Sequence, residues 1–206
     1  MCIVCKWNSG EEKLDLNIEK LFCDDCTALT SIPVFPKLEE LDCWRCTALT
    51  SIPAMPKLRL IDCGGCTALT SILVMGELKE LDCNYCTSLT SIPVLPKLET
   101  LYCNGLKALT SIPVMTELKK LDCEGCTGLT EILYFPKLKE LNCAQCKNLT
   151  TIPEISSVEI LYCECCPKIT CIPRLPKLKL LDCSRSISIT SVHIFIDRLD
   201  CFFCDG

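Results

Sequence analysis

Twenty-two of the 206 residues are cysteine, and most stand in pairs separated by two residues. Thiols at that spacing can do three kinds of chemistry. Two C-x2-C units can hold a structural zinc through four thiolates. Oxidised, they would staple a small fold, which requires an oxidising compartment. Reduced and buried, they pack as small apolar side chains with a weak donor. Cys23/Cys26 with Cys43/Cys46 match the zinc spacing formally, as do Cys63/Cys66 with Cys83/Cys86 and Cys123/Cys126 with Cys143/Cys146.

A second recurrent set is Phe22, Asp42, Asp62, Asp82, Tyr102, Asp122, Asn142, Tyr162, Asp182 and Asp200. Like charges on neighbouring strands repel, at about 1 kcal/mol per close pair in water. Folding gains nothing evident from the run Asp42, Asp62, Asp82. One account is that the carboxylates keep a face solvated. The sharper one is a strip for a basic partner, with Tyr102 and Tyr162 as aromatic anchors. Trp44, Arg45 and Tyr85 follow the row closely in sequence, and Trp, Tyr and Arg are the types enriched at binding hot spots. Calcium fits poorly, because the row lacks a loop of convergent oxygens.

Catalytic chemistry has little to work with. The single histidine is His193, and neither a phosphate-binding glycine loop nor a nucleophile elbow occurs. The net charge of −5 argues against a general nucleic-acid binder. No apolar run approaches the roughly 20 residues needed to span a bilayer. The opening residues lack the pattern of a secretory signal, so the expected location is the cytoplasm and the expected thiol state is reduced.

The element that must position all these residues is a repeat. Leu38-Glu39-Glu40-Leu41-Asp42-Cys43-Trp44-Arg45-Cys46-Thr47-Ala48-Leu49-Thr50-Ser51-Ile52-Pro53 recurs in kind from Leu58 and again from Leu78, twenty residues apart each time. With Leu38 as position 1, positions 1, 4, 12 and 15 are aliphatic from Ile18 to Val192. Positions 4 to 6 alternate as a short half-buried strand does. The return segment cannot hold a long helix, since prolines such as Pro33, Pro36, Pro53 and Pro56 remove donors and favour extended backbone. One coil cannot bury its apolar side alone; stacked coils can. Thr30, Thr50, Thr70 and their equivalents at position 13 read as structural hydroxyls, and the Lys37, Lys57, Lys97 row at position 20 as a solvated edge. Asn148-Leu149-Thr150 matches a glycosylation sequon inside the repeat and is expected to be silent.

The pattern Leu-x-x-Leu-x-Cys-x-x-Cys-x-x-Leu resembles the strand segment of leucine-rich repeats. The return Leu-Thr-Ser-Ile-Pro-x-x-Pro is similar to the short repeats of bacterial effectors and of repeat proteins encoded by large DNA viruses. The resemblance covers residues 18–206. It implies a leucine-rich repeat solenoid, right-handed, with a parallel β-sheet on the concave face where partners dock, and extended segments and turns with little helix on the convex face. Two departures stand out: Cys replaces Leu at position 6 and Asn at position 9. The expected organisation is a degenerate N-terminal coil or cap over 1–17, nine units over 18–195, and a truncated repeat over 196–206.

In such a coil positions 6 and 9 face inward, which favours thiol ladders over metal. Cys103 is followed by Leu106 at position 9 and Cys183 by Ser186, and leucine cannot bind a metal. Stacked coils also space equivalent residues about 4.8 Å apart, whereas zinc gathers sulfurs at about 2.3 Å from one centre. Neither metal nor cofactor is expected. Cys165 and Cys171 fall outside both ladders and are the candidate exposed thiols. The function expected is a non-enzymatic scaffold binding a protein, basic in character, through Asp42, Trp44, Arg45, Asp62, Asp82, Tyr85, Tyr102, Asp122, Tyr162 and Asp182, with no role for nucleic acid or membrane. The alternatives are a homo-oligomer joined through uncapped solenoid ends, where Phe202 and Phe203 lie, and a metal-binding cysteine ladder.

Overall fold

The computed structural model describes residues 2–10, 13–193 and 200–201. They form a parallel β-solenoid of about nine turns, and among the described residues the only helix is the six-residue Ile3–Asn8. Each coil contributes one short strand to a ten-stranded sheet: Lys20–Phe22, Glu40–Asp42, Leu60–Asp62, Glu80–Asp82, Thr100–Tyr102, Lys120–Asp122, Glu140–Asn142, Ile160–Tyr162, Leu180–Asp182 and Asp200–Cys201. Pairing is parallel and in register, so Leu41 faces Ile61, Ile61 faces Leu81 and Leu81 faces Leu101. A single-residue slip would turn this aliphatic column to solvent, which is why the repeat period fixes the register.

The period itself has a packing origin. The buried positions are 1, 4, 6, 9, 12, 15 and 18, as in Leu38, Leu41, Cys43, Cys46, Leu49, Ile52 and Met55. Inward residues thus recur every third place, except across the strand, where the step is two. Six steps of three and one of two complete a twenty-residue circuit. Several three-residue steps are tight turns: Cys46 N–H donates to Cys43 O at 3.1 Å, Leu49 N–H to Cys46 O at 3.0 Å and Leu58 N–H to Met55 O at 3.3 Å. Position 18, filled by Phe35, Met55, Met75, Leu95, Met115, Phe135, Ile155 and Leu175, holds the two largest fully buried side chains, Phe35 and Phe135. A fully buried aliphatic or aromatic side chain of this kind contributes roughly 2 kcal/mol, and only stacking buries it.

The thiols form ladders within this core. Position-9 sulfurs donate back to the position-6 carbonyl of the preceding coil: Cys46 to Cys23 O at 2.9 Å, Cys66 to Cys43 O at 3.0 Å, Cys126 to Cys103 O at 3.0 Å. Position-6 sulfurs donate forward, Cys63 to Asp82 O at 3.1 Å and Cys123 to Asn142 O at 3.3 Å. Burial pushes the Cys83 and Cys163 thiols well up, and it also raises the Cys103 and Cys123 thiols, where the facing Cys126 and Cys146 thiols add the larger share. No cysteine from Cys2 to Cys183 is in a disulfide. At position 13 the threonine hydroxyls point along the stack, Thr70 Oγ1 donating to Thr50 O at 3.2 Å and Thr150 Oγ1 to Thr130 O at 3.1 Å, so their work is coil-to-coil coupling on an exposed edge. Lys97 and Lys137 of the position-20 row pair with Glu77 and Glu117 one coil back at 2.6 and 2.7 Å.

Ahead of the first coil stands the helix in place of a further strand. Its Val4 and Cys5 are buried in the same core, with Cys2, Leu14 and Ile18 packed against it. Phe202 and Phe203, expected to supply an end-to-end contact, lie outside the described residues. No helix among the described residues is long and apolar enough to cross a membrane.

A groove between two aromatic walls

Strand and turn together build the outward surface. After each strand the chain turns within four residues, and the third of them, position 8, carries positive φ throughout: Asp25, Arg45, Gly65, Tyr85, Gly105, Gly125, Gln145, Cys165 and Arg185, all between 52° and 73°. A type II turn demands that conformation, which glycine adopts freely and other residues at a cost near 1 kcal/mol. Position-8 amides donate to the position-7 carbonyl of the next coil, Arg45 N–H to Gly64 O and Tyr85 N–H to Asn104 O at 2.7 Å, so the left-handed backbone is locked into the stack.

The aspartate row has a structural duty that corrects the expectation that folding gains nothing from it. Position 7 opens the turn with an amide the strand ladder does not pair. The residue two places earlier supplies the acceptor: Asp42 Oδ1 takes Trp44 N–H at 3.1 Å, Asp62 takes Gly64 N–H at 3.1 Å, and Asp182 takes Ser184 N–H at 3.0 Å. Asn142 does the same for Ala144 N–H at 3.0 Å, so the acceptor oxygen is what this duty requires, and the negative charge is additional. Where tyrosine stands at position 102, Asn84 Oδ1 from the preceding coil accepts Asn104 N–H at 2.6 Å instead.

Asp42, Asp62 and Asp82 face one another in register on three adjoining strands, half-buried. Burial pushes the carboxyls of Asp62 and Asp82 above the ordinary carboxylate range. The amides of Gly64 and Asn84 pull against this rise, and the adjacent Asp42 and Asp62 carboxylates add to it.

Over this acidic floor stand two aromatic walls. Trp44 is 41 % exposed and Tyr85 61 % exposed. Each leans over a residue with no side chain in the next coil. A β-carbon at Gly64 would lie 3.0 Å from Trp44 Cδ1 and 3.3 to 3.4 Å from carboxylate oxygens of Asp82 and Asp62. Arg45 extends over Gly65, its guanidinium 4.8 Å from the Trp44 ring centre and 3.4 Å from Asp25. The groove so formed measures about 460 Å³ and is lined by Trp44, Arg45, Asp62, Asp82, Asn84 and Tyr85, with Gly65, Thr47 and Thr67 completing it. Tyr85 is also the near wall of a second hollow of about 430 Å³, which contains Gly105, Glu124 and Gln145.

Five of the expected site residues, Trp44, Arg45, Asp62, Asp82 and Tyr85, therefore meet in one groove, and Asp42 borders its floor. Asp122, Tyr162 and Asp182 belong to the same face in later coils and do not line it. Tyr102 is already engaged: Lys120 Nζ sits 5.4 Å from its ring centre and 2.8 Å from Glu140 Oε1. Gly65, Asn84 and the two threonines were not singled out from sequence; glycine recurring at position 8 as Gly65, Gly105 and Gly125 is the signal that could have found the turn. Among the described residues, one group of three ligating side chains converges within 4.8 Å, and it is Cys2, Cys5 and Cys26 rather than any two stacked ladder pairs. No protein-family model matches this chain, and no curated protein or solved structure does so either.

Proposed function

We propose that the chain is a non-enzymatic binding scaffold of the leucine-rich repeat kind, which holds a basic protein segment on the outer face of its sheet. The observation that carries this reading is the groove between Trp44 and Tyr85, where two exposed aromatic faces stand over the carboxylates of Asp62 and Asp82. Aromatic faces and carboxylates both attract cations, and a half-buried carboxylate pair gains most from an incoming ammonium or guanidinium. The protein uses the same chemistry within itself, where Lys120 lies between the Tyr102 ring and Glu140.

Titration calorimetry with a lysine-rich peptide and a glutamate-rich peptide of equal length tests the proposal. The lysine-rich peptide is expected to bind, more weakly as salt rises, and to lose at least tenfold in affinity with Tyr85→Ala or Trp44→Ala. Equal affinity for both peptides, or affinity indifferent to both substitutions, would sink it.

A further inference from the structure

We infer that Cys2, Cys5 and Cys26 form a three-thiolate site for one zinc ion, which fastens the N-terminal helix to the first coil. The three sulfurs lie within 4.8 Å of one another, and those of Cys5 and Cys26 are 3.2 Å apart. Zinc with Zn–S bonds of about 2.3 Å holds tetrahedral sulfurs roughly 3.8 Å apart, so the cluster needs shifts below about 1 Å to close on a metal. Cys2 stands just before the helix, its carbonyl accepting Lys6 N–H at 3.1 Å, and Cys5 lies in the first turn, a three-residue spacing that brings both to one side. Cys26 is the position-9 residue of the first coil, so the third ligand comes from the solenoid.

The contrast with the ladder explains why only this end gathers thiols. At Cys46, Cys66 and Cys86, the position-9 thiol donates to a carbonyl of the coil before it. Cys26 has a helix before it, and its sulfur meets two further sulfurs there. A dication at the centre would displace the thiol protons to solvent and let all three sulfurs carry charge together. Cys2 is half-buried, so water reaches the fourth position.

The test uses the full chain purified under reductant, loaded with Zn²⁺ or Co²⁺ and passed through gel filtration. One metal per chain is expected to remain, with the intense thiolate charge-transfer band of tetrahedral Co²⁺. Cys5→Ser and Cys26→Ser are expected to lose both, while the ladder variant Cys66→Ser keeps them. Chelation of the wild type is expected to lower its melting temperature, a readout that holds even if a variant folds poorly. No retained metal, retention unchanged in Cys5→Ser and Cys26→Ser, or a Cys5–Cys26 disulfide formed under these conditions would each overturn the inference.

Discussion

Tyr85 lies against the bare backbone of Gly105: a β-carbon built there would stand 2.7 Å from Tyr85 Cδ1 and 2.9 Å from Cε1. Gly105 also has a φ of +71°. Gly105→Ala therefore meets two penalties, left-handed strain of about 1 kcal/mol and displacement of the ring. The expected loss is about 1–2 kcal/mol in denaturant unfolding. Tyr85 should swing away from its seat, so affinity for a lysine-rich peptide falls with stability. A variant as stable as wild type would show that the ring is not seated on Gly105.

The reverse substitution is expected to stabilise. Gln145 occupies position 8 with a φ of +58°, and its Nε2 donates to Glu124 Oε1 in an exposed contact. Such exposed polar contacts contribute little net stability. Gln145→Gly removes left-handed strain and loosens the unfolded chain, which leaves a net gain of about 0.5 kcal/mol. Equilibrium urea unfolding with an unchanged m-value checks this, and a loss above about 0.5 kcal/mol would mean that the position-8 side chain packs more than its exposure shows.

Asp62 separates charge from hydrogen bonding. Its carboxyl is raised above the ordinary range by burial, with the Gly64 amide opposing and Asp42 adding to the rise. A carboxyl raised on folding binds its proton more tightly in the native chain. Its charge therefore costs stability at neutral pH, and the cost is relieved as pH falls through the raised value toward the unfolded one. Asp62→Asn keeps an acceptor for Gly64 N–H, as Asn142 does for Ala144 N–H. At pH 7 the variant should equal or exceed wild type by under about 1 kcal/mol, since solvent screens a half-exposed group. The difference should vanish as pH descends through the carboxylate range. Peptide affinity should fall at pH 7 all the same, because one of the two floor charges is gone. A variant less stable at pH 7 than at pH 4, relative to wild type, contradicts the assignment.

Much of the architecture was legible because twenty-residue periodicity leaves register no freedom: Leu41, Ile61 and Leu81 had to stack, and they do. The thiol ladder was legible through its exceptions, since Leu106 and Ser186 occupy buried places that a metal site could not share. What the row Asp42, Asp62, Asp82 does for the turn was not, because its acceptor role depends on an amide whose partner is decided by the turn geometry at Trp44 and Gly64. The groove was half legible. Trp44, Arg45 and Tyr85 were named by residue type, but the absent side chains at Gly64, Gly65 and Gly105 that give them room matter only once coils are stacked. The convergence of Cys2 and Cys5 on Cys26 was hidden by their near-repeat spacing, which suited a degenerate coil; a helix turns both thiols toward the first coil instead.

Position 9 carries the last prediction. Ser186 donates its hydroxyl to Cys163 O at 2.7 Å and accepts Cys166 N–H at 2.9 Å, so an oxygen performs the bond that sulfur makes elsewhere. Cys66→Ser should therefore stay within about 1 kcal/mol of wild type, since the bond to Cys43 O, 3.0 Å in the thiol form, survives while some apolar contact is lost. Cys66→Ala removes the donor and leaves a small void, at a cost of about 1–2 kcal/mol. Cys43 O still accepts Cys46 N–H at 3.1 Å, which keeps the loss from being larger. Urea unfolding of the two variants side by side decides the matter. Alanine more stable than serine would mean that position 9 is held by packing alone, and the carbonyl-directed thiols would then be a consequence of the stack rather than a cause of it.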